Sequence, residues 1–239
     1  MRRFGLTPLL VLAAIATAML VAGRQTAYFP GDLEIARAIQ SSIPAGGWAR
    51  AVTRAAYAPW IYGVLAVSAL AALRVAGWRG AVAMAVTFFA LMQIETDLKR
   101  VIARPRPSAA LVTVAGSTAA PAASTAPTAM MAGASAAPVS YSMPSGWALL
   151  FGSTVGLLGA LALRNARGTA RAAYLTGCAI VLTTGLLARV VLGQHWPSDV
   201  IAGYLLAITI GLGLVELLAT LPGVKATSRG SSRTSAARR

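Results

Sequence analysis

The sequence is poor in charge and poorer still in groups that titrate near neutrality. Charged residues make up 11% of the chain, against about a quarter in a soluble domain, which excludes an ordinary water-soluble globule. Six residues are acidic and one, His195, is a histidine, so neighbouring positions supply no cluster of metal ligands. The single cysteine, Cys178, excludes an internal disulfide; set in an apolar run, it reads as a small core residue. Alternating apolar and polar residues are missing as well, which excludes a transmembrane β-barrel.

What is present is long apolar runs. Residues of hydrophobic type make up 57% of the 239 positions, and the mean hydropathy is +0.69. At about 20 residues per span, the pattern predicts an all-α, polytopic membrane bundle of six helices. They fall near residues 4–23, 59–73, 81–98, 146–163, 172–192 and 197–221. The first follows Met1-Arg2-Arg3 and is longer than a typical signal-peptide core, which favours a retained helix over a cleaved leader. Between the first two spans, Pro30-Gly31-Asp32 marks a helix start with Asp32 as N-cap. Apolar residues from Leu33 to Ile43 then recur near helical spacing, giving a short interfacial helix or, alternatively, a solvated loop. Residues 108–140 carry no charge and are rich in Ala, Ser, Thr and Pro, as expected of a flexible loop outside the membrane. Residues 1–221 thus form one membrane domain, and 222–239 a disordered basic tail.

The net charge is +15. Its arginines gather at the ends of apolar runs, the pattern of topology signals and anionic-lipid contact, and not that of a nucleic-acid partner. The N-terminus, the turns at 74–80 and 164–171 and the tail hold 12 of the 21 basic residues and no acid. The positive-inside rule places them, and both termini, in the cytoplasm. Three other segments then meet on the outer side. They are Lys99 to Pro107, Ser142 to Trp147, and Arg189 to Asp199.

These segments carry the chemistry. Lys99, Arg106 and Arg189 are three cations at a membrane boundary with too few acids to neutralise them, a setting suited to a multiply charged anion such as phosphate. Ser145 and Gly146 open a helix, so their backbone N–H groups face such an anion. His195 is a candidate nucleophile, and Asp199, four residues on, is placed to orient its imidazole. A phosphohistidine intermediate, later cleaved by water, follows from that pairing. The plainer readings are an interfacial histidine, a Glu95–Lys99 helix ion pair and Trp147 as an interface anchor. Asp97 is a weak candidate for an acid, since boundary carboxylates are usually solvated.

This layout resembles the type-2 phosphatidic acid phosphatase superfamily, integral-membrane lipid phosphate phosphatases with the motifs KxxxxxxRP, PSGH and SRxxxxxHxxxD. Lys99, Arg106 and Pro107 match the first with correct spacing. Pro144, Ser145 and Gly146 match three of four positions in the second, and Arg189, His195 and Asp199 match the third. The resemblance implies that His195 attacks phosphorus, that Asp199 orients it, and that Lys99, Arg106, Ser145, Gly146 and Arg189 bind the phosphoryl oxygens. It implies a lipid phosphate or diphosphate substrate and no metal or other cofactor. The expected location is a membrane of the bacterial inner type, with the site facing outward.

Two positions depart from the pattern. Ala188 stands where the family has Ser, and Trp147 where it has a second histidine, the one that protonates the leaving oxygen. An indole N–H donates a hydrogen bond but has no usable pKa. A substrate whose leaving group is itself a phosphate monoester has less need of that proton. The expectation is a phosphatase preferring lipid diphosphates of the isoprenoid (undecaprenyl) type; the alternative is an impaired relative that binds phospholipid or polyprenyl phosphate without turnover.

Overall fold

The computed structural model describes residues 5–114 and 140–221. Most of the loop expected at 108–140 and the basic tail at 222–239 therefore lie outside the described residues. The elements are α1 (Leu6–Gln25), α2 (Asp32–Ser42), α3 (Gly47–Arg54), α4 (Trp60–Ile102), α5 (Gly146–Asn165), α6 (Gly168–Val191) and α7 (Pro197–Thr220). Five of them, all but α2 and α3, are long and apolar enough to cross a membrane.

At 43 residues α4 is too long for one crossing. A straight helix of that length reaches about 65 Å, twice the hydrocarbon thickness. The chain instead turns back at Gly77, whose φ of 71° and ψ of −173° interrupt the helix. The Tyr62 and Phe88 rings, 26 positions apart in sequence, consequently lie 6.4 Å apart, where a straight helix would separate them by about 39 Å. The apolar helices, with α4 folded back into two arms, therefore make a helical membrane bundle of the kind the hydropathy pattern predicts. The broad basic turn expected at 74–80 is a reversal at one glycine, and the second arm runs past residue 98 to Ile102. This keeps Glu95 and Lys99 on one helical face.

The centre of the bundle is α5, of which 89% of the apolar window is buried, against 11–39% for the other spanning helices. Around it pack both arms of α4, α6 and α7, with Phe88, Met84, Leu157, Leu161 and Leu212 forming the core. Cys178 belongs to this core, as its apolar setting predicts. The middle of α5, Gly152–Gly156, widens into a π turn. In lipid a loosened carbonyl needs an internal donor, and the Ser153 and Thr154 hydroxyls both donate to the Leu150 carbonyl at 2.9 Å. A further helix, α1, lies along α7.

The segment between α1 and α4 is built into the structure. Ala36 of α2 is buried, and α2 packs on α6 and α7, so the solvated-loop alternative does not hold. Asp32 is the first residue of α2; the N-cap is Gly31. The Asp32 carboxylate accepts the Phe29 N–H at 2.9 Å, and its other contacts are all long-range. The start of the expected flexible loop is fixed as well. Arg37 donates to the Leu111 carbonyl (3.0 Å), and Gln40 bonds both main-chain groups of Thr113 (2.8 and 3.0 Å). Val112 is buried. Residues 108–114 thus lie over the 189–195 stretch, with the Thr113 carbonyl against Gly193.

Candidate functional site

The end of α6 and the start of α7 create the site. The left-handed Gly193 (φ 64°) turns the chain, and Trp196 becomes the N-cap of α7, with Pro197 in the first turn. Asp199 occupies the third helical position, and its Oδ2 accepts the Trp196 N–H at 2.8 Å. His195 therefore precedes the helix. The pairing of His195 with Asp199 arises from this capping geometry, and not from one helical turn as their spacing alone suggests. Its Nδ1 faces Asp199 Oδ2 at 3.7 Å, longer than a hydrogen bond but open to tightening when a ligand binds.

A buried ion network stands behind Asp199. Arg104, 1% exposed, donates through Nη1 to Asp199 Oδ1 (2.6 Å) and Ser198 Oγ (2.8 Å), through Nη2 to Asp32 Oδ2 (2.9 Å) and through Nε to the Ala27 carbonyl (3.2 Å). Its guanidinium also lies over the Phe29 ring at 4.5 Å. Asp32 completes the network by accepting from the Ser198 hydroxyl (2.6 Å) and the Ser198 N–H (3.0 Å). From the sequence, Arg104 lies within the segment Lys99 to Pro107 and Asp32 reads as a cap. The only signal for their pairing was scarcity, since Asp32 is one of six acids in a bundle where an unpaired buried charge is costly.

The cations predicted from the motifs converge on His195. Arg106 lies beyond the αL cap of α4 and reaches the Gln194 carbonyl at 3.0 Å and Ser140 Oγ at 2.8 Å. Arg189 is buried, its Nη1 3.5 Å from Thr53 Oγ1 of α3. Lys99 is ion-paired with Glu95 Oε1 at 2.6 Å, so the plain helix ion pair is present. Burial first, then the charges of Arg189, Arg106 and Lys99, hold His195 well below the ordinary imidazole range, with a small opposing effect from the Ser142 main chain. The imidazole is therefore neutral at neutral pH, with a lone pair to offer. Burial likewise lowers the basicity of Arg106, offset in part by Asp199, Tyr57 and Glu95; a guanidinium remains charged regardless.

Two expectations at the start of α5 need correction. The Ser145 N–H does not point into free space, because it donates to the Asp199 carbonyl at 3.2 Å. What Ser145 offers is its hydroxyl. Trp147, in turn, is no interface anchor. It is 4% exposed, stacks on Phe151 with ring centroids 3.8 Å apart and spends its indole N–H on the Val52 carbonyl at 3.0 Å. Asp97 pairs with Arg100 at the surface and takes no part. Among the described residues, Ser145 Oγ, Arg189 Nε and both ring nitrogens of His195 are buried with no hydrogen bond within the protein. They come from the second and third predicted segments, and the charges of Lys99 and Arg106 in the first act on His195. Among the same residues no group of three or more His, Cys, Asp or Glu side chains is placed to hold a metal.

A family model described as the PAP2 superfamily matches residues 76–221. That span holds all seven residues predicted from the motifs. Among solved structures, the chain is similar to the "first transmembrane PAP2 type phosphatidylglycerolphosphate phosphatase from Bacillus subtilis", with a TM-score of 0.61 and 14% identity over 91% of this chain and 98% of that one. At that identity the likeness is one of fold. No curated protein matches the chain.

Proposed function

This chain belongs to the PAP2 superfamily, and from that premise we propose that it is a membrane lipid phosphate or diphosphate phosphatase working through a phosphohistidine. The observation that supports this most is the set of buried, unpartnered polar atoms around a neutral histidine: Ser145 Oγ, Arg189 Nε and His195 Nε2. Buried polar groups are nearly always hydrogen-bonded, so a group of them beside three cations suits a phosphoryl ligand.

In this reading the phosphoryl oxygens are held by Lys99, Arg106, Arg189, the Ser145 hydroxyl and Gly146. Lipid phosphate is recognised by forked guanidinium donors and by charge. His195 Nε2 attacks phosphorus, the P–O bond to the leaving group breaks, and the electron pair departs on that oxygen. The ring gains positive charge, which Asp199 on the Nδ1 side stabilises, itself fixed by Arg104 and the Trp196 N–H. Water then attacks the phosphohistidine, phosphate is released, and the pair returns to Nε2.

Position 147 supplies no proton, because the Trp147 N–H is engaged by Val52. An alkoxide leaving group then forgoes general-acid help of about 10²–10⁴-fold, whereas a leaving lipid monophosphate departs without it. The substrate class that fits is an isoprenoid diphosphate of the undecaprenyl type. The basic turns and termini favour an outward-facing site in a membrane of the bacterial inner type. The same Trp147 observation favours the second reading, a relative that binds lipid phosphate without turnover.

The test is phosphate release by purified protein from undecaprenyl diphosphate and from phosphatidate. Faster release from the diphosphate is expected. Faster turnover of phosphatidate overturns the preference, and no release from either leaves the binding role.

A further inference from the structure

The phosphohistidine reading leaves its second half without a base. Water must attack phosphorus, and the residue that would activate it is not Trp147, whose ring is in the core. The carboxylate that reaches the site is Glu95. It lies directly against Gly146, so that a Cβ at that position would overlap Glu95 Oε1 and its carboxyl carbon and come within 2.6 Å of Oε2. Only a glycine admits it there. One oxygen, Oε1, is held by Lys99 at 2.6 Å, and among the described residues Oε2 accepts no hydrogen bond. The charge of Glu95 acts on both Arg106 and Arg189, two of the three cations that act on His195. Its side chain keeps 26% of its surface exposed, so it is not sealed in the core. Asp199 is on the Nδ1 side of His195, and its two oxygens are occupied by Arg104 and the Trp196 N–H.

We propose that Glu95 is the general base that activates water against phospho-His195. The inference rests on the phosphatase reading and adds a catalytic residue that the three motifs do not contain. In the step, Glu95 Oε2 takes a proton from water as the water oxygen bonds to phosphorus. The P–Nε2 bond breaks, its pair returns to the imidazole, and inorganic phosphate leaves. Glu95 then gives the proton to solvent.

The experiment is a rapid-quench comparison of wild type, Glu95→Gln, Glu95→Asp and His195→Ala on undecaprenyl diphosphate, following lipid product, phosphate and acid-labile phosphoenzyme. For E95Q the expected result is a burst of lipid product near one per active chain, then steady-state phosphate release slowed by about 10²–10⁴-fold, the usual worth of a general base. Phosphoenzyme should accumulate in E95Q, and hydroxylamine, a nucleophile that needs no base, should speed its decay. E95D, which keeps the carboxylate but shortens its reach, should give a smaller form of the same pattern and serves if E95Q fails to fold. Loss of burst and steady state together in both variants would assign Glu95 to binding or structure and overturn the proposal, as would wild-type turnover. Wild-type turnover by H195A would instead overturn the phosphohistidine on which the proposal rests, and no turnover by wild type would overturn the phosphatase reading itself.

Discussion

Removing Arg104 would strand two carboxylates inside the bundle. Asp32 and Asp199 are 4% and 0% exposed, and Arg104 is the cation paired with both. Breaking a buried pair by deleting one partner costs about 3–5 kcal/mol, because the remaining charge is left uncompensated. An Arg104→Met substitution keeps most of the volume and should lower the thermal midpoint in detergent markedly, while reducing turnover through a mis-set Asp199. An unchanged midpoint would show that the network adds no net stability. The residue scale is also where the sequence was least legible. The charges were visible, but Arg104 and Asp32 are 72 positions apart, and nothing in local periodicity joins them. The same holds for Glu95 at Gly146 and for Thr53 beside Arg189. Motif spacing named seven site residues; the contacts that orient them come from non-motif positions within the motif segments, Arg104, Gln194 and Trp196, and from residues far outside them, Asp32, Thr53 and Glu95.

Helix direction explains why Trp147 misleads. Position 147 follows two site residues, yet its side chain leaves the site and enters the core, where it lies against Gly185 of α6. Spacing gives a residue's place along a helix but not its neighbours. The spans themselves were legible, since each is an apolar run with basic or Gly/Pro-rich ends. The reversal in α4 was legible only as a turn of several residues, because its φ/ψ at Gly77 is a property of one backbone unit. That conformation belongs to a region that is essentially restricted to glycine and costs other residues about 1–3 kcal/mol. A Cβ at Gly77 would meet nothing within 4 Å, so the penalty for Gly77→Ala is purely conformational. Gly63, in the first arm of α4, also has open space around it but no positive φ. Gly77→Ala should therefore lower the unfolding midpoint in detergent, and Gly63→Ala should hold or raise it. Equal effects would contradict the assignment of strain to Gly77.

At the scale of the whole molecule, the bundle uses little charge and concentrates it. Three of the six acids, Asp32, Glu95 and Asp199, stand in or behind one site, and Glu216 pairs with Arg164 elsewhere, at 3.0 Å. The apolar arms bring the ends of α4, α5 and α6–α7 together, and residues 108–114 lie across the last of these. Composition made the membrane bundle readable, and motif order made the meeting of three segments readable. The closing of the site by α2, α3 and residues 108–114 was not, because those segments are short and their pairing rests on single side chains, Arg37, Gln40 and Thr53, whose partners lie far off in sequence. The central claim is that one neutral histidine performs the phosphoryl transfer. It is tested most directly by phosphate release from undecaprenyl diphosphate by wild type and His195→Ala, each reconstituted in vesicles and matched for folded protein. The account predicts release by wild type and none above background from the variant; equal release by both would contradict it.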